Sequence, residues 1–163
     1  YLLFLILLII IRSDIDNLLI LISIGILNFL YLNYKRKLFL GDNGSIFCSY
    51  LVGYLFIKSV NYSQSFYADE VFLAMMIPGI DLVRVAILRI FKRKHPFSAD
   101  RNHFHHLIIK NYSSSTALIC ILLLIILPNM LNLIFGFTLI IIIMSILVYF
   151  VSIVTLYNMT KLN

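Results

Sequence analysis

Long apolar runs fill most of the chain, and short polar clusters punctuate them. Crossing the hydrocarbon of a bilayer takes a helix of about 20 apolar residues. Tyr1–Ile11 is half such a span and opens the chain without a preceding positive stretch or a small-residue cleavage site after it. It does not read as a signal peptide, and the simplest expectation is that the chain starts inside a longer protein. The polar turn Arg12–Asp16 leads into Asn17–Tyr34, a full span closed by Lys35-Arg36-Lys37. Leu38–Ser45 reads as a loop with two glycines, Ile46–Val60 as another span, and Asn61–Glu70 as its exit loop. A further span runs from about Val71 through Pro78 and Gly79 to Phe91. The longest polar stretch, Lys92–Ser115, follows it. Thr116–Leu127 and Leu131–Tyr157 then form two helices, with a break at Pro128-Asn129 and a tight turn within Pro128–Gly136. The pattern predicts an all-α, polytopic membrane helix bundle of about six transmembrane helices, with 1–163 as one transmembrane domain.

Composition leaves no competing fold class. Hydrophobic residues make up 62% and charged residues 12% of the chain, where soluble domains carry about a quarter charged. A soluble domain of this size would expose large apolar patches. Cys48 and Cys120 both lie in apolar runs, and their spacing spells neither a disulfide framework nor a CxxC site.

Charge adds orientation. Lys35, Arg36 and Lys37 lie on one side, and two helices later Lys92, Arg93, Lys94, Arg101 and Lys110 return to it. Lys161 reaches that side after two more helices. The opposite loop holds Asp69 and Glu70 with no Lys or Arg, and Arg12 is offset by Asp14 and Asp16. Short cytoplasmic loops are enriched in Lys and Arg, so loops 35–45 and 92–115 are both expected in the cytoplasm. The net charge of +6 thus reports topology and anionic headgroups. Nucleic acid is excluded as a partner, because no soluble domain remains to carry a binding face.

These two loops concentrate the chemistry. In Gly41-Asp42-Asn43-Gly44-Ser45 a carboxylate sits between glycines at a helix start. Glycines permit close backbone approach, a helix N-terminus favours anions, and the carboxylate could hold Mg²⁺ shared with substrate phosphates. Asp42 or Ser45 could equally cap the next helix. All four histidines fall within twelve positions, His95 to His106, three of them as His103-Phe104-His105-His106. In a helix, His103 and His106 share a face and His105 points elsewhere. Such a cluster suits phosphate binding, proton transfer or metal ligation, although zinc lacks a nearby Cys or Glu. Asp81, with Arg84 three residues on, is an ionisable pair in an apolar run. Such groups mark function by default, or else neutralise each other beside a Pro78 kink.

Three motifs together resemble one family. Leu40–Ser45 is similar to its Gly-Asp-x-Gly-Ser signature, Pro78-Gly79-Ile80-Asp81 with Arg84 and Arg89 to its Pro-x-x-Asp stretch, and Asp100-Arg101-Asn102-His103-Phe104-His105-His106 to its Asp-Arg-x-His-x-His-His loop. These are the polyprenyl-phosphate N-acetylhexosamine-1-phosphate transferases of glycosyltransferase family 4. His-x-His-His favours the branch that starts O-antigen, enterobacterial common antigen and teichoic acid synthesis. The family implies roughly eleven spans, so the chain resembles the C-terminal half, and it carries neither an Asp-Asp pair nor an Asn-x-x-Asn-x-x-Asp-Gly segment. The resemblance implies Mg²⁺ (or Mn²⁺) on Asp42, and transfer of a sugar-1-phosphate from a UDP-sugar to undecaprenyl or polyprenyl phosphate with release of UMP. His103, His105 and His106 would act on phosphate. Gly41, Asn43, Gly44, Ser45, Asp100, Arg101, Asp81 and Arg84 would shape or bind the substrate site. It further implies the bacterial inner membrane, a cytoplasmic active face and room for a homodimer. Asp42 and the imidazoles are expected to meet beneath one leaflet. A truncated non-catalytic subunit is one alternative. The other is a transporter or channel fragment with Asp81 and the histidines on an ion path.

Overall fold

The computed structural model describes residues 2–12, 17–61, 65–96, 98 and 102–162. Seven helices account for nearly all of them, with no strand among the described residues: α1 (Leu2–Arg12), α2 (Asn17–Tyr34), α3 (Gly41–Asn61), α4 (Ala68–Phe91), α5 (Phe104–Asn111), α6 (Ser114–Phe135) and α7 (Thr138–Leu162). Contacts divide the chain into two compact units, Tyr1–Val71 and Phe72–Asn163.

In the first unit α1 packs on α2 and α3. Leu5, Ile6, Leu8 and Ile9 of α1 are buried, as are Leu19 and the α3 residues Val52, Leu55 and Phe56. The Phe56 ring meets the Phe66 ring edge-on at 5.6 Å. The bounds of α2 match the apolar run. Its end is a Schellman closure: Lys37 N–H donates to Leu32 O and Arg36 N–H to Asn33 O, both at 2.9 Å. Arg36 occupies the left-handed position at φ 57°. The expected loop at 38–45 is shorter than the sequence suggests, because α3 already begins at Gly41. Gly41 supplies the turn, at φ +64°, and the residues that look loop-like become the first helical turn.

In the second unit, α4, α6 and α7 are long and apolar enough to cross a membrane, with spans of 24, 22 and 23 residues. Their contacts inside the unit are confined to stripes. Leu73, Ile77, Asp81 and Val85 are buried on α4, and Ile142, Ser145, Tyr149, Ile153 and Leu156 on α7, the three-to-four spacing of one helix face. The remaining surface is apolar and exposed, for example Leu118, Leu123 and Leu127 on α6 and Ile140, Ile143 and Leu147 on α7. Such a surface is stable facing lipid.

The expected break at Pro128-Asn129 is absent: α6 runs through Pro128 to Phe135. Asn129 donates its side-chain N–H to Ile125 O at 2.8 Å, adding a bond to the turn around the proline. The helix ends about two turns later at Gly136, at φ 70°, whose N–H donates to Asn132 O. At its other end Ser113 caps α6, its Oγ accepting from Thr116 N–H at 3.2 Å. The stretch 92–115, read as loop, therefore holds α5 and the first two residues of α6. Phe104, Leu107 and Ile108 of α5 are buried, and α5 packs on α6 and α7. The second basic triplet closes α4 as the first closes α2. Lys94 N–H donates to Arg89 O and Arg93 N–H to Ile90 O, both at 2.9 Å, with Arg93 at φ 55°. Cys48 and Cys120 are free thiols, each half-buried.

Candidate functional site

The Gly-Asp segment of the first unit forms the opening turn of α3. Asp42, Asn43 and Ser45 are exposed there. A Cβ on Gly44 would lie 2.8 Å from Leu40 Cδ1 and 2.9 Å from Leu40 Cγ. Leu40 thus folds against the turn because position 44 carries no side chain. Ser45 does not cap the helix; its Oγ donates to Asp42 O at 2.8 Å. The Asp42 carboxylate accepts no hydrogen bond among the described residues. It stands near the positive end of a helix dipole, open to solvent.

The second unit gathers its polar groups around Asp81. Asp81 lies ten residues before the end of α4, about 15 Å along the helix axis at 1.5 Å per residue. The chain leaving α4 folds back far enough to reach it. Asp81 Oδ1 accepts from Arg84 Nη2 at 2.7 Å, from Tyr149 Oη at 2.8 Å and from Phe104 N–H at 3.1 Å. Asp81 Oδ2 pairs with His103 Nδ1 at 2.8 Å. Arg84 is equally engaged: Nε donates to Tyr149 Oη at 2.9 Å, Nη1 to Tyr157 Oη at 3.4 Å, and Nη2 also to Asn102 O at 2.7 Å. The expected pairing of Asp81 with Arg84 is present, and it belongs to a larger clasp that ties α4 to α7 and to the start of α5. A buried ion pair survives only when its remaining valences are met, and these partners meet them. Arg89 donates to Pro96 O.

The clasp fixes the histidines. His103 is the residue before α5, with extended backbone at φ −61° and ψ 153°. Helical spacing therefore does not govern it, and the expectation that His105 points away from its neighbours fails. His103 and His105 stack at 6.0 Å between ring centroids with planes 14° apart. His105 and His106 follow at 4.0 Å. Three imidazoles form one row. Crowding by surrounding groups, reinforced by the neighbouring His106 and His103, pushes the His105 imidazole below its ordinary value. A neutral ring is what remains at physiological pH, a hydrogen-bonding and proton-accepting group. Among the described residues no three His, Cys, Asp or Glu converge to cage a metal.

Asp100 and Arg101 lie outside the described residues. Asp42 belongs to the first unit and the imidazoles to the second. Tyr149, Tyr157, the Asn102 carbonyl and the Phe104 N–H were not singled out by sequence. The two tyrosines carried a faint signal, as aromatic hydroxyls eight residues apart in an otherwise apolar span; the two backbone groups carried none.

A set of apolar spanning helices with a polar cluster at the junction of α4, α5 and α7 defines a multi-pass α-helical membrane protein. Over 60% of its length the chain is similar to polyprenyl-phosphate sugar-1-phosphate transferases. It is 31% identical over 99 residues to the undecaprenyl-phosphate alpha-N-acetylglucosaminyl 1-phosphate transferases of Salmonella typhi and of Escherichia coli K12. The enzyme of that name from Haemophilus influenzae is 31% identical over 94 residues. The first two matches cover 60% of this chain and 27% of each relative; the third covers 53% and 26%. The chain thus spans little more than a quarter of the length of the curated relatives it matches. No family model matches the chain, and no solved structure matches it.

Proposed function

We propose that the protein containing this chain transfers N-acetylhexosamine-1-phosphate from a UDP-sugar to undecaprenyl or another polyprenyl phosphate at the cytoplasmic face of a bacterial inner membrane. An oxygen of the lipid phosphate attacks the β-phosphorus, the bond to UMP breaks, and a polyprenyl diphosphate-sugar remains in the membrane. The observation that carries this reading is the row of three imidazoles, anchored by a buried carboxylate within an apolar span, in a chain related to enzymes named for this transfer. Phosphoryl transfer asks a protein for positioning and charge neutralisation more than for covalent chemistry.

Asp42, exposed and without a protein partner among the described residues, is the carboxylate suited to Mg²⁺ (or Mn²⁺). The ion, when bound, neutralises diphosphate charge and orients the leaving group. Asn43 and Ser45 would add oxygen donors or hydrogen bonds to the diphosphate, with Gly41 and Gly44 letting the backbone approach it. His103, His105 and His106 would hydrogen-bond phosphate oxygens, with Asp100 and Arg101 adding to that loop. Starting a cell-envelope polysaccharide is the role this product suits.

The test is UMP release by membranes containing the full-length protein, given polyprenyl phosphate, a panel of UDP-sugars and Mg²⁺. Release should require both substrates and stop on chelation. Release without the lipid acceptor, or undiminished by chelator, would refute the assignment.

A further inference from the structure

The two oxygens of Asp81 have unequal surroundings. Oδ1 is held by three donors: Arg84 Nη2, Tyr149 Oη and Phe104 N–H. Oδ2 faces His103 Nδ1 at 2.8 Å, with Phe104 N–H at 3.3 Å as a weaker second partner. An ionised carboxylate can only accept, so the proton of this contact sits on His103 Nδ1. The other ring nitrogen, Nε2, is then the one left to meet a ligand. His103 is half-buried, and its Nδ1 edge is the one engaged by Asp81.

We infer that Asp81 is a positioning residue of the transferase: it fixes His103 in the Nδ1–H tautomer and presents Nε2 as the ring atom that exchanges hydrogen bonds and protons with phosphate. The inference rests on the proposed function for its phosphate, and on geometry alone for its tautomer. Arg84 and Tyr149 serve it by immobilising Oδ1, so that only Oδ2 addresses the imidazole. Tyr149 is fully buried, and its hydroxyl accepts from Arg84 while donating to Asp81. It locks the carboxylate plane from a helix that carries none of the sequence motifs.

The unequal surroundings make Asp81→Asn a sharp probe. The three donors around Oδ1 require an oxygen there, so the amide nitrogen of Asn must take the Oδ2 position. It then donates to His103 Nδ1, which has to give up its proton, and the ring is forced into the Nε2–H tautomer. Shape and burial are retained; the accessible nitrogen becomes a donor that can no longer accept. A substitution of this kind at the carboxylate of a serine-protease triad drops turnover about 10⁴-fold through the wrong tautomer.

The experiment uses full-length protein with ¹⁵N-histidine in lipid nanodiscs, His103 being assigned by loss of its signals in His103→Gln. Wild type should show a protonated Nδ1 and a bare or exchanging Nε2, and Asp81→Asn the reverse. UMP release by Asp81→Asn should fall by at least about 10²-fold in kcat, with KM for the UDP-sugar within a few-fold of wild type. Tyr149→Phe should keep the tautomer and lower Tm. A wild-type His103 with bare Nδ1 would overturn the inference even if no variant folds. So would an unchanged tautomer in Asp81→Asn, or a reversed tautomer with full turnover. A wild type that releases no UMP under any condition would instead remove the transferase reading, and the ring-nitrogen spectra would still decide the role of Asp81.

Discussion

At the start of α3, Asp42 is exposed and no described residue donates to its carboxylate. On α4, Asp81 is 9% exposed and accepts from Arg84, Tyr149, His103 and the Phe104 backbone. The same side chain thus has two opposite surroundings. A carboxylate that must take up a cation or a ligand keeps its lone pairs unspent, whereas one that must hold other groups in place spends them all inside the protein. The contrast predicts opposite phenotypes: changes at Asp42 should harm turnover and spare the fold, while changes around Asp81 should harm the fold as well.

The largest effect is expected at the bare carboxylate. Asp42→Asn should lower UMP release on the order of 10³-fold, the scale of losing one preorganised charge-stabilising group, with the thermal unfolding midpoint in detergent unchanged. A midpoint that falls together with activity would erase the contrast. Next comes the clasp. Arg84→Ala leaves the Asp81 carboxylate buried without its cation, and breaking a buried pair costs about 3–5 kcal/mol. Unfolding of the purified protein should register that loss, and a stable Arg84→Ala variant would show the pair to be dispensable. The smallest effect concerns the row of rings. Because His105 is held below its ordinary value of 6.5, the unfolded chain takes up that proton more readily than the folded one. Stability is then lost as pH falls through the ordinary histidine value and recovered as pH rises. His105→Gln should flatten that slope in thermal melts between mildly acidic and neutral pH; an unaltered slope would assign the acid sensitivity to another group.

Much of this was readable from residue order. The apolar run Asn17–Tyr34 became α2 with the same bounds, since lipid-scale hydrophobicity leaves a helix as the only way to satisfy the backbone. Asp81 was legible as an acid on an otherwise apolar stripe, and Arg84 as its partner three residues on. Three things were not. Gly41 to Ser45 has the low helix propensity of a loop, yet forms the first turn of α3. Pro128 looked like a break, but a single missing N–H does not stop a helix whose other turns are intact. The histidine row depended on His103 lying just outside α5, a choice of one residue's ψ angle that helical spacing cannot foresee. Tyr149 left only a faint signal for another reason: its partners are 65 and 68 residues away in sequence, and only packing of α7 on α4 brings them together.

The two basic triplets carry a last consequence. Arg36 and Arg93 each occupy a left-handed backbone position that glycine would fill with less strain, by about 1 kcal/mol. Each helix is therefore stopped by the residue that hydrocarbon least tolerates. A helix ended by glycine could slip inward by a turn and still bury only backbone and apolar groups. Ended by a guanidinium between two lysines, it has a doorstop: moving inward would drag permanent charges out of water.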